Sequence, residues 1–199
     1  MSTRLTSKLL VPAPEALDAA RRFADRAAAD HEADLAYTTF DSPLGQLLLA
    51  SGEGGLSVLH YLDEPLDEAL EYLSGKRSPR IVESPRALDP WRFELDEYFA
   101  GSRQRFEAPL DWNVMTRFQR EVLRATAAIP YGETSTYTGV ATEAGSPRGQ
   151  RAAGNALGSN PMAIIIPCHR VLHLDGGYGG YTGGLHRKHY LLDLEAGRL

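Results

Sequence analysis

The feature that most narrows the fold lies between residues 135 and 167. Two short helical segments, "STYTGVATE" and "RGQRAAGNALGSNP", are joined by Ala144-Gly145-Ser146-Pro147. An apolar run, Ile164–Ile166, follows and stops at Pro167. This length and punctuation predict a helix-turn-helix whose second helix opens on Arg148 and Arg151. That helix is rich in small residues: Ala152, Ala153, Gly154 and Ala156. A glycine inside a helix costs about 1 kcal/mol against alanine. Gly154 therefore marks either a tight crossing with a neighbouring helix or the close approach of an external surface.

The rest of the second half is also helical in pattern. "MTRFQREVLRATAAIPYGET" places Phe118, Val122, Leu123 and Ala125 on one face, and Pro130 and Gly132 end it. The first half has a different period. "LAYTTFDSPLGQLLLASGEGGLSVLHYL" alternates β-branched and aromatic runs with two glycine-containing turns, predicting an antiparallel meander. "RALDPWRFELDEYFAGS" spaces Trp91, Leu95, Tyr98 and Phe99 as a helix ending at Gly101. Residues 14–31, Ala-rich with both signs of charge, read as a solvated helix opened by Pro14. Three segments result: an N-terminal extension, 1–35; an α/β domain, 36–112; and a mostly α domain, 113–199.

Charge separates the halves. Residues 1–112 hold 12 Lys and Arg against 20 Asp and Glu, a net −8; residues 113–199 hold 9 against 6, a net +3. A polyanion would meet the second half, although ordinary scatter of composition produces the same asymmetry. No apolar stretch approaches the roughly 20 residues that cross a bilayer. The first thirty residues carry acids and no apolar core, unlike a signal peptide, so a cytoplasmic setting is expected.

Cys168 is the chain's single cysteine, which excludes an intramolecular disulfide or a cysteine-rich zinc site. A lone cysteine behind an apolar run is usually a packing residue. A nucleophilic one needs a base or positive field. His169 adjoins it, but neighbours on a strand face opposite ways. The two cooperate only if the strand ends there, which Pro167 favours, or if a water bridges them. The glycine cluster Asp175–Gly184 lets backbone approach a ligand, without the pattern of a phosphate loop.

At this point the residues carry a resemblance. "IPCHRV", then "GGYTGGL", a lysine and "LLDLE", with "RAAGNALGSNP" upstream, closely resemble the O6-alkylguanine-DNA alkyltransferases over about residues 113–199. "YTTFDSPLGQLLLA" and the helix near 90–100 resemble that family's N-terminal domain. The resemblance implies a ribonuclease H-like α/β domain, a small antiparallel sheet with a helix, followed by a mostly α domain with a winged helix-turn-helix. It implies that Cys168 accepts the alkyl group, that His169 draws the thiol proton through a water, and that Glu195 orients the histidine. Asn160 corresponds to the hinge, Tyr137 to the tyrosine beside the flipped nucleotide, and Arg151 to the arginine filling the vacated stack. Ala152, Gly154, Arg170 and Thr182 fall among the implied DNA contacts. Tyr181, Thr182, Gly183, Ala163 and Val171 fall in the implied pocket.

The implied partner is double-stranded DNA bearing O6-alkylguanine, and by the same resemblance O4-alkylthymine, met through the minor groove by a monomer. No cofactor is implied, and the zinc site of animal members needs cysteines this chain lacks. Ala163 stands where some members carry proline, predicting a roomier pocket that tolerates larger alkyl groups. The rival readings are a non-catalytic binder of alkyl damage, a winged-helix regulator and a cysteine hydrolase.

Overall fold

The computed structural model describes residues 14–30 and 32–199. The expected N-terminal extension is therefore seen only from Pro14 onward; the rest of it lies outside the described residues. Helix α1 (Pro14–Ala29) buries Ala27 alone. Its apolar residues are mostly alanines, and its two large ones, Leu17 and Phe23, are exposed, so it stays on the outside. Asp25 ties it down by accepting a hydrogen bond from Ser84 Oγ at 2.6 Å.

Strands β1 (Leu35–Ser42), β2 (Gly45–Gly52) and β3 (Gly55–Tyr61) form the expected antiparallel meander, with Phe40 opposite Leu47 and Leu49 opposite Leu59. A fourth strand, β4 (Ile81–Glu83), adds parallel to β1, giving the order β3-β2-β1-β4. The sheet is thus mixed where an antiparallel one was expected. Parallel neighbours need a crossover, and helix α2 (Leu66–Lys76) supplies it. A strand of three residues is too short to register as an alternating pattern.

The period of two along β2 explains why its apolar run is buried on both sides. Leu47 and Leu49 enter the main core, while Ala50 joins Leu35, Val58 and Leu73 of α2 in a smaller cluster on the opposite face. Helix α3 (Asp89–Phe99) follows a turn capped by Ser84 and buries Trp91, Leu95 and Tyr98 at helical spacing. Trp91 Nε1 donates to the Pro109 carbonyl, and the backbone N–H groups of Glu107 and Ala108 donate to Glu94. These contacts hold the connector against the first half.

In the second half, Thr116 caps α4 (Arg117–Ala127) by accepting from the Gln119 N–H. Val122, Leu123 and Thr126 are buried, but Phe118 is 36% exposed, contrary to its expected place on the buried face. It sits in the first turn, where the stripe runs past the edge of the core. Strand β5 (Ser135–Thr136) leads into α5 (Tyr137–Glu143), capped by Thr136, and a turn through Gly145 leads to α6 (Gln150–Gly158). The second helix opens at Gln150, so Arg148 belongs to the turn. Strand β6 (Val171–Leu172) pairs parallel with β5, and α7 (Leu185–Glu195) closes the fold.

One core spans both halves: Leu47, Leu59, Leu95 and Tyr98 pack in the same cluster as Val122, Val140, Ile164 and Leu191. The free edge of β3 is covered in two places. Leu56 exchanges backbone hydrogen bonds with Pro109 and Asp111, and Leu59 does so with Pro161 and Ala163. The second contact matters for function, because it fixes the segment leading to Cys168 against the sheet.

Gly55 has φ +105°, and a Cβ there would stand 2.4 Å from the Pro109 carbonyl oxygen. Gly154 is different, since a Cβ would meet only the Tyr137 ring at 3.8 Å. Gly55→Ala should therefore cost about 1–3 kcal/mol in denaturant unfolding, while Gly154→Ala should not destabilise the fold.

Candidate functional site around Cys168

The chain approaches Cys168 through a strained turn. Ile164 has φ +71° in a β-branched residue, and the Ile166 N–H closes the turn onto the Met162 carbonyl at 2.9 Å. Such a conformation persists only where packing over-determines it. Here Ile164 and Ile166 are completely buried. Beyond Pro167 the chain enters a 3₁₀ turn, Cys168–Arg170, so regular strand alternation does not separate the cysteine from its histidine.

Asn160 ties this turn to α6. Its Nδ2 donates to the Ile166 carbonyl at 2.9 Å and to Cys168 Sγ at 3.3 Å, while its Oδ1 accepts from the Met162 N–H at 3.0 Å. Cys168 is 7% exposed. Burial pushes its thiol pKa up, against the opposing effects of the Asn160 hydrogen bond and the Lys188 charge. The resting thiol is therefore protonated near neutrality and needs a base to become a nucleophile.

His169 has no exposed surface, and its Nε2 lies 2.8 Å from Glu195 Oε1. Burial lowers its pKa, with Glu195 pulling the other way. Glu195 is held at about 2: burial alone would raise it, but hydrogen bonds and charge from His169 and Arg170 prevail. An ionised carboxylate accepts only, so Nε2 carries the proton and Nδ1 is left as an acceptor. Nδ1 is buried and has no partner within the described residues.

Arg170 departs from its expected place among the DNA contacts. It is 6% exposed and forks onto Glu195, Nε to Oε2 at 2.8 Å and Nη2 to Oε1 at 2.9 Å. Its Nη1 donates to the Ile129 carbonyl, and its guanidinium lies over the Tyr131 ring. An arginine with these partners is structural, because a buried carboxylate requires a matched cation.

Beside the thiol lies a cavity of about 400 Å³. Tyr137, Gly154, Leu157 and Gly158 wall it from the helix-turn-helix, and Gly180, Tyr181 and Thr182 from the glycine-rich loop. Cys168 forms part of the same wall. Tyr137 and Gly154 also line an adjoining groove with Arg148, Gln150, Arg151, Asn155 and His173. Arg151 is exposed on this face of α6, and Ala152 is exposed beside it in the sequence but does not line the groove. Gly154 has room for a side chain inside the protein, so a tight helix crossing does not explain it.

Three expected pocket residues lie outside that wall. Gly183 packs beneath the Tyr61 ring, where a Cβ would come within 2.3 Å. Val171 is fully buried in β6 and presents its carbonyl to Lys188. Ala163 is buried against β3, its N–H donating to the Leu59 carbonyl at 3.1 Å. The N–H at this position secures the β3 contact, which a proline would forfeit.

Sequence reasoning assigned no role to two groups. Lys188 is completely buried, with Nζ donating to the Val171 and Tyr178 carbonyls, and burial lowers its pKa to about 8. A buried lysine behind a thiol is a source of positive field. The signal was the lysine's place after "GGYTGGL". Tyr61, from β3, meets the Tyr181 hydroxyl at 3.0 Å, and Arg187 stacks on its ring while forking onto Asp63. The loop over the cavity is thus braced by the first half, and Thr182 Oγ1 ties it to the Gly158 carbonyl.

Among the described residues, no three His, Cys, Asp or Glu side chains gather as a metal site, and no helix is long and apolar enough to cross a membrane.

Comparison with known proteins agrees with this architecture. Residues 35–112 match the ribonuclease-like domain of 6-O-methylguanine DNA methyltransferase, and residues 117–197 match its DNA binding domain. A methylated-DNA–protein-cysteine methyltransferase of Mycolicibacterium paratuberculosis is 42% identical over 159 residues, covering 80% of this chain and 91% of that protein. Another, of Methanosarcina barkeri, is 40% identical over 167 residues, covering 82% and 98%. The crystal structure of a Mycobacterium tuberculosis O6-methylguanine methyltransferase superimposes with a TM-score of 0.71 at 38% identity, covering 83% of this chain and 94% of that one. A crystal structure of Mycobacterium tuberculosis OGT in complex with DNA gives 0.70 at 39%, covering 82% and 94%. The chain belongs to the 6-O-methylguanine DNA methyltransferase family.

Proposed function

We infer that this protein repairs alkylated DNA by direct reversal, moving the alkyl group from O6-alkylguanine onto Cys168. One observation carries the assignment of the acceptor. The single cysteine lines a cavity that shares Tyr137 and Gly154 with the groove bearing Arg148 and Arg151. A base entering from a duplex on that groove would reach the thiol directly.

A stacked base cannot present its O6 substituent to a buried thiol, so the nucleotide must leave the helix. Arg151, exposed on α6 beside the cavity mouth, fills the gap, and the open face at Gly154 lets the α6 backbone press into the minor groove. Readout there is degenerate, which suits repair in any sequence context.

The chemistry follows from the hydrogen bonds. His169 Nδ1 takes the Cys168 proton through a bridging water, and the resulting imidazolium is stabilised by Glu195. The thiolate attacks the alkyl carbon in line; a carbon–sulfur bond forms as the carbon–oxygen bond breaks. The electron pair passes to the guanine, whose leaving charge a hydrogen bond from the Tyr137 hydroxyl stabilises. The thioether product has no hydrolytic route back, so each molecule acts once. Asn160 and Lys188 hold the thiolate while it exists.

Intact mass after incubation with an O6-methylguanine duplex is the test. A gain of one methyl on Cys168, at a stoichiometry of one, is expected. An unchanged mass with retained binding would identify a damage binder instead. Cys168→Ala should abolish the gain and keep the binding. Arg151→Ala should slow transfer at least about tenfold on duplex DNA, the scale of a lost charge-assisted contact, and leave transfer from free O6-alkylguanine nearly unchanged. Equal losses on both substrates would remove the wedge role.

A further inference from the structure

Tyr98 lies on α3, in the half of the molecule that carries no reacting group. Its ring is completely buried, edge-on to Phe99 and Tyr131 and tilted against Phe106. A phenylalanine would fill that aromatic space as well. The hydroxyl has a separate purpose, donating to Glu195 Oε1 at 2.7 Å. The same oxygen receives His169 Nε2 at 2.8 Å and Arg170 Nη2 at 2.9 Å. Three donors thus converge on one carboxylate oxygen, while Arg170 Nε and the Gly132 N–H occupy the other.

We propose that Tyr98 is a positioning residue for alkyl transfer, acting from the first half of the chain through Glu195 and His169. The proposal rests on reading His169 as the base. Its hydroxyl fixes the carboxylate against which the imidazole is oriented. It also draws electron density from the oxygen that holds the Nε2 proton, so His169 is a weaker base with Tyr98 in place than without it.

The surroundings sharpen the expected sign. His169 faces Glu195 and Lys188 from α7, Cys168 and Arg170 from its own turn, and Tyr181 from the loop. Tyr98 faces Glu195, Arg170 and Tyr131. The cations Arg170 and Lys188 disfavour the imidazolium, and neither changes when only the Tyr98 hydroxyl is removed. Burial and the adjoining carboxylate keep Tyr98 protonated far above neutrality, so it donates throughout the working range.

Transfer requires neutral His169, so the acid limb of the rate against pH has its midpoint at the histidine's pKa. Single-turnover transfer from an O6-methylguanine duplex would be measured across pH with the full chain. Tyr98→Phe should move that midpoint up by about half a pH unit or more, since a hydrogen bond to an ion is worth at least that in protonation. Trp91→Phe, on the same helix, loses a part-buried hydrogen bond to the Pro109 carbonyl and should leave the midpoint in place. A Tyr98→Phe protein that is slower at every pH with an unmoved midpoint would overturn the proposal.

His169→Gln separates this failure from that of the underlying reading. Loss of the acid limb supports the histidine as base; a persisting limb removes that reading and this proposal with it. Tyr98→3-fluorotyrosine keeps the ring and strengthens the donor, so it covers the case in which the phenylalanine variant does not fold. The midpoint should then move down, and an unmoved midpoint would again overturn the proposal.

Discussion

The Glu195 carboxylate is almost wholly enclosed at the end of α7 and accepts hydrogen bonds from Tyr98, Gly132, His169 and Arg170. These four come from α3, from the turn after α4, and from the turn that carries the cysteine. A charge taken out of water costs several kcal/mol unless it is matched. The Arg170 fork supplies the matching charge, and the other donors complete the shell. Because the carboxylate is held at about 2, it contributes stability that is full above the ordinary carboxylate range and lost as pH falls towards 2. Removing one partner would strand the rest, so the group's position is set by the whole assembly.

The same logic explains why the two halves are not independent modules. The acidic first half contributes no nucleophile, yet β3 takes Pro161 and Ala163 onto its free edge, Tyr61 braces the loop residue Tyr181, and Asp63 anchors Arg187. The first contact fixes the segment leading to Cys168, and the other two brace the loop and helix beside Tyr181. A site of this kind needs its groups held to a fraction of an ångström. The sheet supplies that rigidity, and the helix-turn-helix supplies the approach for DNA.

What the sequence made legible was local. The Ala144–Pro147 punctuation, the helical spacing of Trp91, Leu95 and Tyr98, and the glycine turns of the meander all signal structure within one element. The parallel pairing of β4 was hidden because three residues carry no period. Arg170 was expected among the DNA contacts from the family resemblance alone; its partner Glu195 lies 25 positions away, and only the fold brings them together. Tyr98 and Glu195 are 97 positions apart, and their contact has no sequence signature at all. Ala163 was legible as a departure from a family pattern, but its backbone hydrogen bond to β3 was not, because side-chain comparison does not reveal it.

Taken together, these contacts leave Cys168 a neutral thiol at rest, its pKa raised by burial, beside a histidine whose pKa burial lowers and whose Nδ1 has no partner among the described residues. The proposed transfer uses that neutral histidine as its base. Nitrogen-15 NMR of the histidine-labelled protein near neutral pH tests this most directly, because the two ring nitrogens report separately on their protons. The account predicts a His169 ring protonated at Nε2 and bare at Nδ1. An imidazolium protonated at both nitrogens, paired with a resting thiolate, would contradict it.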